Sequence, residues 1–309
     1  MRVVFVADLH VGHRSGLAIP SQSPRGDLGA PERKALYRAW CAATRGPWTA
    51  PDALVIDGDA VDGQGRKRGG AEQWTTDLLE QVEHAADLIR MWGARRLYVL
   101  RGSGYHVEVG ATGVCAEELL ARKLHAEPYP NQEHVPEDRR ERSGYDWYLT
   151  FDRLTFHIAH EIGVSRVFHY RSTPIAREML HLHLNDALRH EYRRALQLGL
   201  LRDLEAYRTR IVVRAHAHYY WMCATSGTAG YNLPCWQARS AFQRQRGPLA
   251  IEPDIGFVGF EITGVRYRHE AVLWNASSVQ APPHTLVRRG RRATRQATRS
   301  NANVDRRKK

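Results

Sequence analysis

No stretch of this 309-residue chain reaches the roughly 18 consecutive apolar residues that a membrane-spanning helix requires. Its four cysteines, Cys41, Cys115, Cys223 and Cys235, are scattered without a Cys-x-x-Cys pair, so nothing points to a zinc ribbon or a redox motif, and a reducing cytoplasm is the expected setting. The first motif follows Met1 within a few residues, which leaves no room for a charged and apolar leader; no export signal is expected. Internal repeats and an interdomain linker are also lacking. Acidic residues are short relative to basic ones, 33 against 45, for a formal net charge of +12. That excess is local: residues 288–309 hold ten Lys or Arg and one acid, Asp305. Such a block, without apolar periodicity, is expected to be a disordered basic tail on a domain spanning residues 1–287. It suits sequence-independent, salt-sensitive contact with phosphates, or a solubilising role with no specific partner. The apolar and charged fractions, 43% and 25%, are ordinary for a globular domain able to bury a full core.

What is present is an α/β pattern. Val3 to Ala7, Ala53 to Ile56 and Arg96 to Leu100 are short apolar runs that read as buried strands. A helix opening at Pro31 separates the first two, and a helix from about Ala71 to Trp92, with Leu78, Leu79, Val82, Ala86 and Ile89 on one face, precedes the third. Residues Cys115 to His125 read as helical, and Pro128 to Gly144 as a polar surface loop. Asp146 to Thr150 and Leu154 to Ala159 are expected to form a hairpin across Asp152-Arg153. Residues 174 to about 208 read as two helices broken near Gly199, Ile211 to Arg214 as a strand, and Tyr219 to Cys223, Asp254 to Thr263 and Arg266 to Leu273 as a β-rich closing layer.

Acidic and imidazole side chains fall at the ends of these strands. Asp8 and His10 follow the first, and extended geometry is expected to send both to one side. Gly58-Asp59 follows the second, with glycine permitting close backbone approach and Asp59 placed to bridge two cations; Asp57 and Asp62 beside it read as capping or supporting hydrogen-bond partners. His160 closes a strand, on the face opposite His157, and His216 and His218 follow another; each of the last two can serve a different ion. His157, His181, His183 and His190 read as structural, while His13 and His169 are candidate substrate contacts. Carboxylates and imidazoles suit divalent first-row metals, and a shared carboxylate can hold two ions about 3.5 to 4 Å apart.

The ordered series Asp8-x-His10, Gly58-Asp59-x-x-Asp62, Gly102…His106, His160 and Ala215-His216-x-His218 resembles the calcineurin-like metallophosphoesterase superfamily over residues 3 to about 218. The resemblance implies a four-layer α/β/β/α sandwich and two divalent ions, manganese first, with iron, zinc or magnesium as alternatives. It implies that Asp8, His10 and His218 hold one ion, His160 and His216 the other, and Asp59 both. Where that family carries Gly-Asn-His, this chain has Gly102-Ser103-Gly104-Tyr105-His106. His106 is retained as the implied general acid, but the amide ligand is replaced by Ser103, whose hydroxyl is a weaker ligand. Ala215 in place of the usual glycine adds only a methyl group. The Gly-Ser-Gly-Tyr-His form, with Leu233-Pro234-Cys235-Trp236-Gln237 and Pro253-Asp254-Ile255-Gly256, is similar to phage- and prophage-encoded members related to DNA-repair exonucleases.

The resemblance implies a metal-activated hydroxide attacking a phosphoester in line while His106 protonates the leaving oxygen. Arg66 and its loop, Arg101, Tyr105, Arg239 and Arg244 are candidates for gripping substrate phosphate. The basic tail favours a phosphodiester in DNA, RNA or a nucleotide as substrate. Two rivals stand beside this: a phosphomonoesterase, and, because the amide ligand is missing, a non-catalytic metal-stabilised module that binds nucleic acid or protein.

Overall fold

A computed structural model describes residues 1–27, 29–65, 69–107, 114–130, 132, 134–165, 167–182, 209–225, 227–240, 244–245, 252–275 and 284–288. The first strand, β1 (Arg2–Val6), is a run of β-branched and aromatic residues buried on both faces, which marks it as central. Parallel to it lies β2 (Ala53–Asp57), then β3 (Leu97–Leu100) and the short β4 (Ser143–Gly144). On its other side β10 (Asp254–Thr263) runs antiparallel, followed by β11 (Arg266–Asn275) and β12 (His284–Arg288), so the first sheet has the order β12-β11-β10-β1-β2-β3-β4. The second sheet has the order β5-β6-β7-β9-β8: β5 (Asp146–Phe151), β6 (Leu154–Ala159), β7 (Thr209–Arg214), β9 (Ala229–Asn232) and β8 (Trp221–Ala224). Within it β6, β7 and β9 are parallel.

Period-two alternation divides the core into layers. Val3 and Phe5 join Val55, Phe156, Ile158, Val213 and Phe260 between the two sheets, where the Phe5 ring stacks on Phe156 at 5.5 Å. Val4 and Val6 point the other way, to α1 (Ala30–Arg45), α2 (Leu78–Arg90) and α4 (Ala116–Lys123), in a cluster that includes Trp40, Trp92 and Trp236. On the far face of the second sheet, Val212 packs with Ile175, Met179 and Leu182 of a segment helical over residues 173–182. These clusters make a four-layer α/β/β/α sandwich, the architecture expected from the sequence.

Several local expectations are corrected. The helix expected from Ala71 begins only at Leu78, because Asp77 caps it, accepting from the backbone of Leu79 and Glu80, while the preceding residues are drawn toward the β1 turn by Trp74 N–H donating to Gly12 O at 2.8 Å. Leu79 is consequently exposed, and the buried stripe is Val82, Ala85, Ala86 and Ile89. The strands β9 and β12 had no signal strong enough to be read. Residues 289–309 and 183–208, and with them the expected basic tail, the break near Gly199, His183 and His190, lie outside the described residues. No helix among the described residues is long and apolar enough to cross a membrane.

Parallel strands all deliver their carboxyl ends to one edge. Here β1, β2 and β3 of one sheet and β6 and β7 of the other end together, the place where open α/β sheets build sites.

Candidate metal centre

Asp8, His10, Asp59, His216 and His218 all have positive φ, between 45° and 63°. For residues with a Cβ this left-handed conformation is uncommon and costs energy, and five instances at strand ends form a concentration typical of functional sites. The extended geometry expected for Asp8 and His10 is therefore corrected: it is a sharp left-handed turn after each strand that aims these side chains into the cleft. Backbone bonds lock the turns together, with Asp8 N–H donating to Gly58 O at 3.1 Å and His10 N–H to Asp59 O at 2.9 Å.

Two glycines make this approach possible. Gly58 sits at φ +72°, and a Cβ there would collide with the His160 ring. A Cβ on Gly102 would overlap Asp59 Oδ1 and the Asp59 backbone.

The proposed ligands converge in two groups, and His10 also belongs to a third with Asp62 and His106. Asp8, His10 and His218 form one: Asp8 Oδ1 lies 3.2 Å from His218 Nε2 and 3.7 Å from His10 Nε2, and the two Nε2 atoms are 3.3 Å apart. Asp59, His160 and His216 form the other, with potential ligand atoms within 4.8 Å of one another. His160 Nε2 is 3.1 Å from Asp59 Oδ2 and 3.6 Å from Asp8 Oδ1, which joins the groups. Asp8 Oδ2 also accepts from His216 N–H at 3.1 Å.

This donor set fits divalent cations. Ligands held at about 2.0 to 2.2 Å by a tetrahedral or octahedral ion lie about 3.0 to 3.6 Å from each other, close to the separations found here. Asp8 Oδ1 and His160 Nε2 are buried without a hydrogen-bond partner, and such atoms cost about 1 to 3 kcal/mol each unless something satisfies them. Charge follows the same logic. Burial, the largest influence, pushes the Asp8 and Asp59 carboxyls up, yet the surrounding histidines outweigh it and hold both well below the usual carboxylate range. Burial lowers His10, but Asp62, Asp8 and Asp59 overcome this and raise it to about 9. His160 is raised in the same way by Asp59 and Asp8. Protons on histidine thus occupy the electrostatic role that a cation would fill.

A surrounding layer orients the imidazoles. His10 Nδ1 donates to Asp62 Oδ1 at 2.9 Å and His160 Nδ1 to Asp57 O at 2.6 Å, which leaves both Nε2 atoms facing the cleft. Asp62 itself accepts from Gln73 Nε2, and its carbonyl accepts from His106 Nδ1 at 2.7 Å. Asp62 so takes the supporting part expected of it. Asp57 does not: both its carboxylate oxygens are buried without a hydrogen-bond partner, and burial pushes its carboxyl up to about 7.

The third motif turns out helical, α3 (Gly104–Val107), which carries His106 over the cleft. His106 Nε2 lies 4.0 Å from Asp59 Oδ2 and the ring stands edge-on to His10 at 4.7 Å. Burial, the largest influence, pushes its pKa down, against the opposing charge of Asp59. Ser103 is buried, and its backbone N–H and hydroxyl both donate to the Asp59 carboxylate, at 2.9 Å and 3.1 Å respectively. Tyr105 is exposed, edge-on to His106 at 4.8 Å.

The other sequence candidates are dispersed. Arg101 is held by Glu141 at 3.0 Å, Glu118 at 3.7 Å and Ser143 Oγ at 2.9 Å, Arg239 pairs with Glu252 at 2.9 Å, and Arg244 with Glu32 at 3.1 Å. Arg66 and its basic loop lie outside the described residues. His13 is buried and accepts from Ser15 N–H, while His169 lies exposed in a short turn, and His157 is bonded by Arg214 at 3.1 Å. Sequence reading missed Glu117 altogether. Its buried carboxylate accepts from Ala60 N–H at 3.0 Å and Gly102 N–H at 2.6 Å, clamping the Asp59 turn to the third motif. No pattern in the sequence links a helix-borne glutamate to these loops.

No protein-family model matches the sequence, and no curated protein matches it significantly. Solved structures with a similar layout include Vps29 from Entamoeba histolytica complexed with Zn2+ (14% identity, TM-score 0.42, covering 93% of this chain and 98% of that one). Chaetomium thermophilum Vps29 aligns at 10% identity and TM-score 0.41, over 93% and 96% of the two chains. An archaeal phosphodiesterase aligns at 9% identity and TM-score 0.38, over 88% and 99%. At such identities and TM-scores the centre must be judged on its own geometry.

Proposed function

We propose that this protein is a metal-dependent phosphoesterase with a dinuclear centre, most naturally a phosphodiesterase of nucleic acid or nucleotides. The observation that carries this reading is the convergence of two carboxylate–imidazole groups that meet at His160 Nε2, 3.1 Å from Asp59 and 3.6 Å from Asp8, with Asp8 Oδ1 and His160 Nε2 buried and without a hydrogen-bond partner. Asp8, His10 and His218 would hold one cation, His160 and His216 the second, and Asp59 would bridge; Ser103 stands where the family's amide ligand would be. Bound ions of this kind supply an activated water and neutralise charge on phosphoryl oxygens, with manganese the first choice and iron, zinc or magnesium alternatives.

The chain's own contribution is orientation and proton transfer. Because His106 Nδ1 donates to the Asp62 carbonyl, the atom that gains and loses a proton is Nε2, on the cleft side. There it can give a proton to a leaving oxygen, and a pKa pushed down by burial makes it the stronger acid while reducing its protonated fraction at neutral pH. Tyr105, edge-on to His106, would touch the substrate.

A second reading has a specific observation in its favour. The Ser103 hydroxyl is spent on Asp59, which is what a non-catalytic, metal-stabilised binding module would tolerate. Hydrolysis of bis(4-nitrophenyl) phosphate and 4-nitrophenyl phosphate with added manganese decides between them. Diester turnover, abolished by Asp59→Asn and cut by about 10²-fold or more by His106→Asn, is the expected result; metal-bound protein inert on both substrates would favour the module, and a faster monoester rate a phosphomonoesterase.

A further inference from the structure

We propose that residues 161–165 and 167–171, with the start of β8, form a base-stacking platform for single-stranded nucleic acid whose backbone phosphate lies in the metal centre. Val164, Val167, Phe168 and Tyr170 are all exposed within one short segment, Phe168 at 66% and Tyr170 at 56%. Exposed apolar and aromatic side chains gathered this closely along the chain point to a binding site more than singly scattered ones do. Phe168 meets the Trp221 ring edge-on at 5.4 Å, and the Arg171 guanidinium lies over the Phe168 ring at 5.2 Å and over the Tyr219 ring at 5.0 Å. Phe168 and Tyr170 offer exposed aromatic rings, which accept any base, and Arg171, packed on Phe168 and the buried Tyr219, adds a cation for the flanking phosphates.

Position ties the platform to the chemistry. The segment leaves His160 directly, Tyr219 follows His218, and Trp221 opens β8 two residues later. Both arms are therefore continuous with proposed ligands of the two ions. The composition of the segment suits a polyanion: residues 161–171 contain one acid, Glu161, against two arginines. The platform deepens the phosphoesterase reading and rests on it for the placement of the phosphate.

The test is binding of a fluorescent single-stranded oligothymidylate against the same chain made abasic, with calcium present, using the full-length protein. Every phosphate is kept in the abasic chain, so the comparison isolates the bases from the cationic residues 288–309. Wild type is expected to prefer the oligothymidylate by about fivefold or more. Phe168→Ala should remove most of that preference and Phe168→Tyr keep it, with melting temperatures near wild type because the side chain is exposed. Equal binding of the two probes, a preference unaffected by Phe168→Ala, or a variant whose only change is loss of self-association would overturn the platform, the last assigning the patch to a second copy of the chain. Base preference in a protein that hydrolyses no phosphoester with manganese would instead sink the hydrolase and leave the platform standing.

Discussion

His10 donates its Nδ1 proton to the Asp62 carboxylate at 2.9 Å, and the same residue's carbonyl takes the His106 Nδ1 proton at 2.7 Å. One aspartate, bound to neither proposed ion, thereby aims one proposed ligand and the proposed acid. Removing such a partner typically costs 10- to 100-fold in metal affinity. Asp62→Ala should weaken manganese or zinc binding by about that factor in a calorimetric titration and lower turnover further through His106. Asp62→Asn, which can still accept a hydrogen bond, should do less. Unchanged affinity in Asp62→Ala would show that His10 is held by other means.

Metal binding should grow stronger with pH. His10 is raised from its ordinary 6.5 to about 9, so in the metal-free protein its stabilisation is complete below about 6.5 and is lost as pH climbs through 9. A cation must displace that proton, and competition eases over the same window. Thermal melts between these limits should show the metal-free protein losing stability as pH rises, while the increment gained from excess manganese or zinc widens. A constant increment would mean that His10 holds no proton in the free site.

Gly102→Ala is expected to damage both fold and site. The added methyl would overlap Asp59, which has no room to retreat because Ser103 and His160 grip its carboxylate. Overpacking of this kind costs about 1 to 3 kcal/mol. Urea denaturation should register that loss, and metal affinity should fall with it. A variant with wild-type midpoint and affinity would mean that the third motif can shift freely.

Glu117→Ala strips two buried amides, Ala60 N–H and Gly102 N–H, of their acceptor. Each unsatisfied donor costs about 1 to 3 kcal/mol. Glu117→Gln keeps one acceptor and should cost less. The order wild type, Gln, Ala in denaturant midpoint is the expected result, with metal affinity following the same order because the clamp sets the spacing of the Asp59 turn.

The strands that carry the site were legible because they are short apolar runs ending on polar motifs, a local pattern that needs no knowledge of neighbours: Val3 to Ala7 and Asp254 to Thr263 were placed almost to the residue. The clustering side chains were legible too, since Asp8, His10, Asp59, His160, His216 and His218 are of ligand-forming types at successive strand ends. The approach of Asp8 to His218 across 210 positions, the left-handed turns that aim them, the Glu117 clamp and the diversion of Arg101 into ion pairs were decided only by the tertiary structure. The physical reason is that each depends on distances between segments remote in the chain, and on which donors burial leaves without water. Sequence spacing encodes neither.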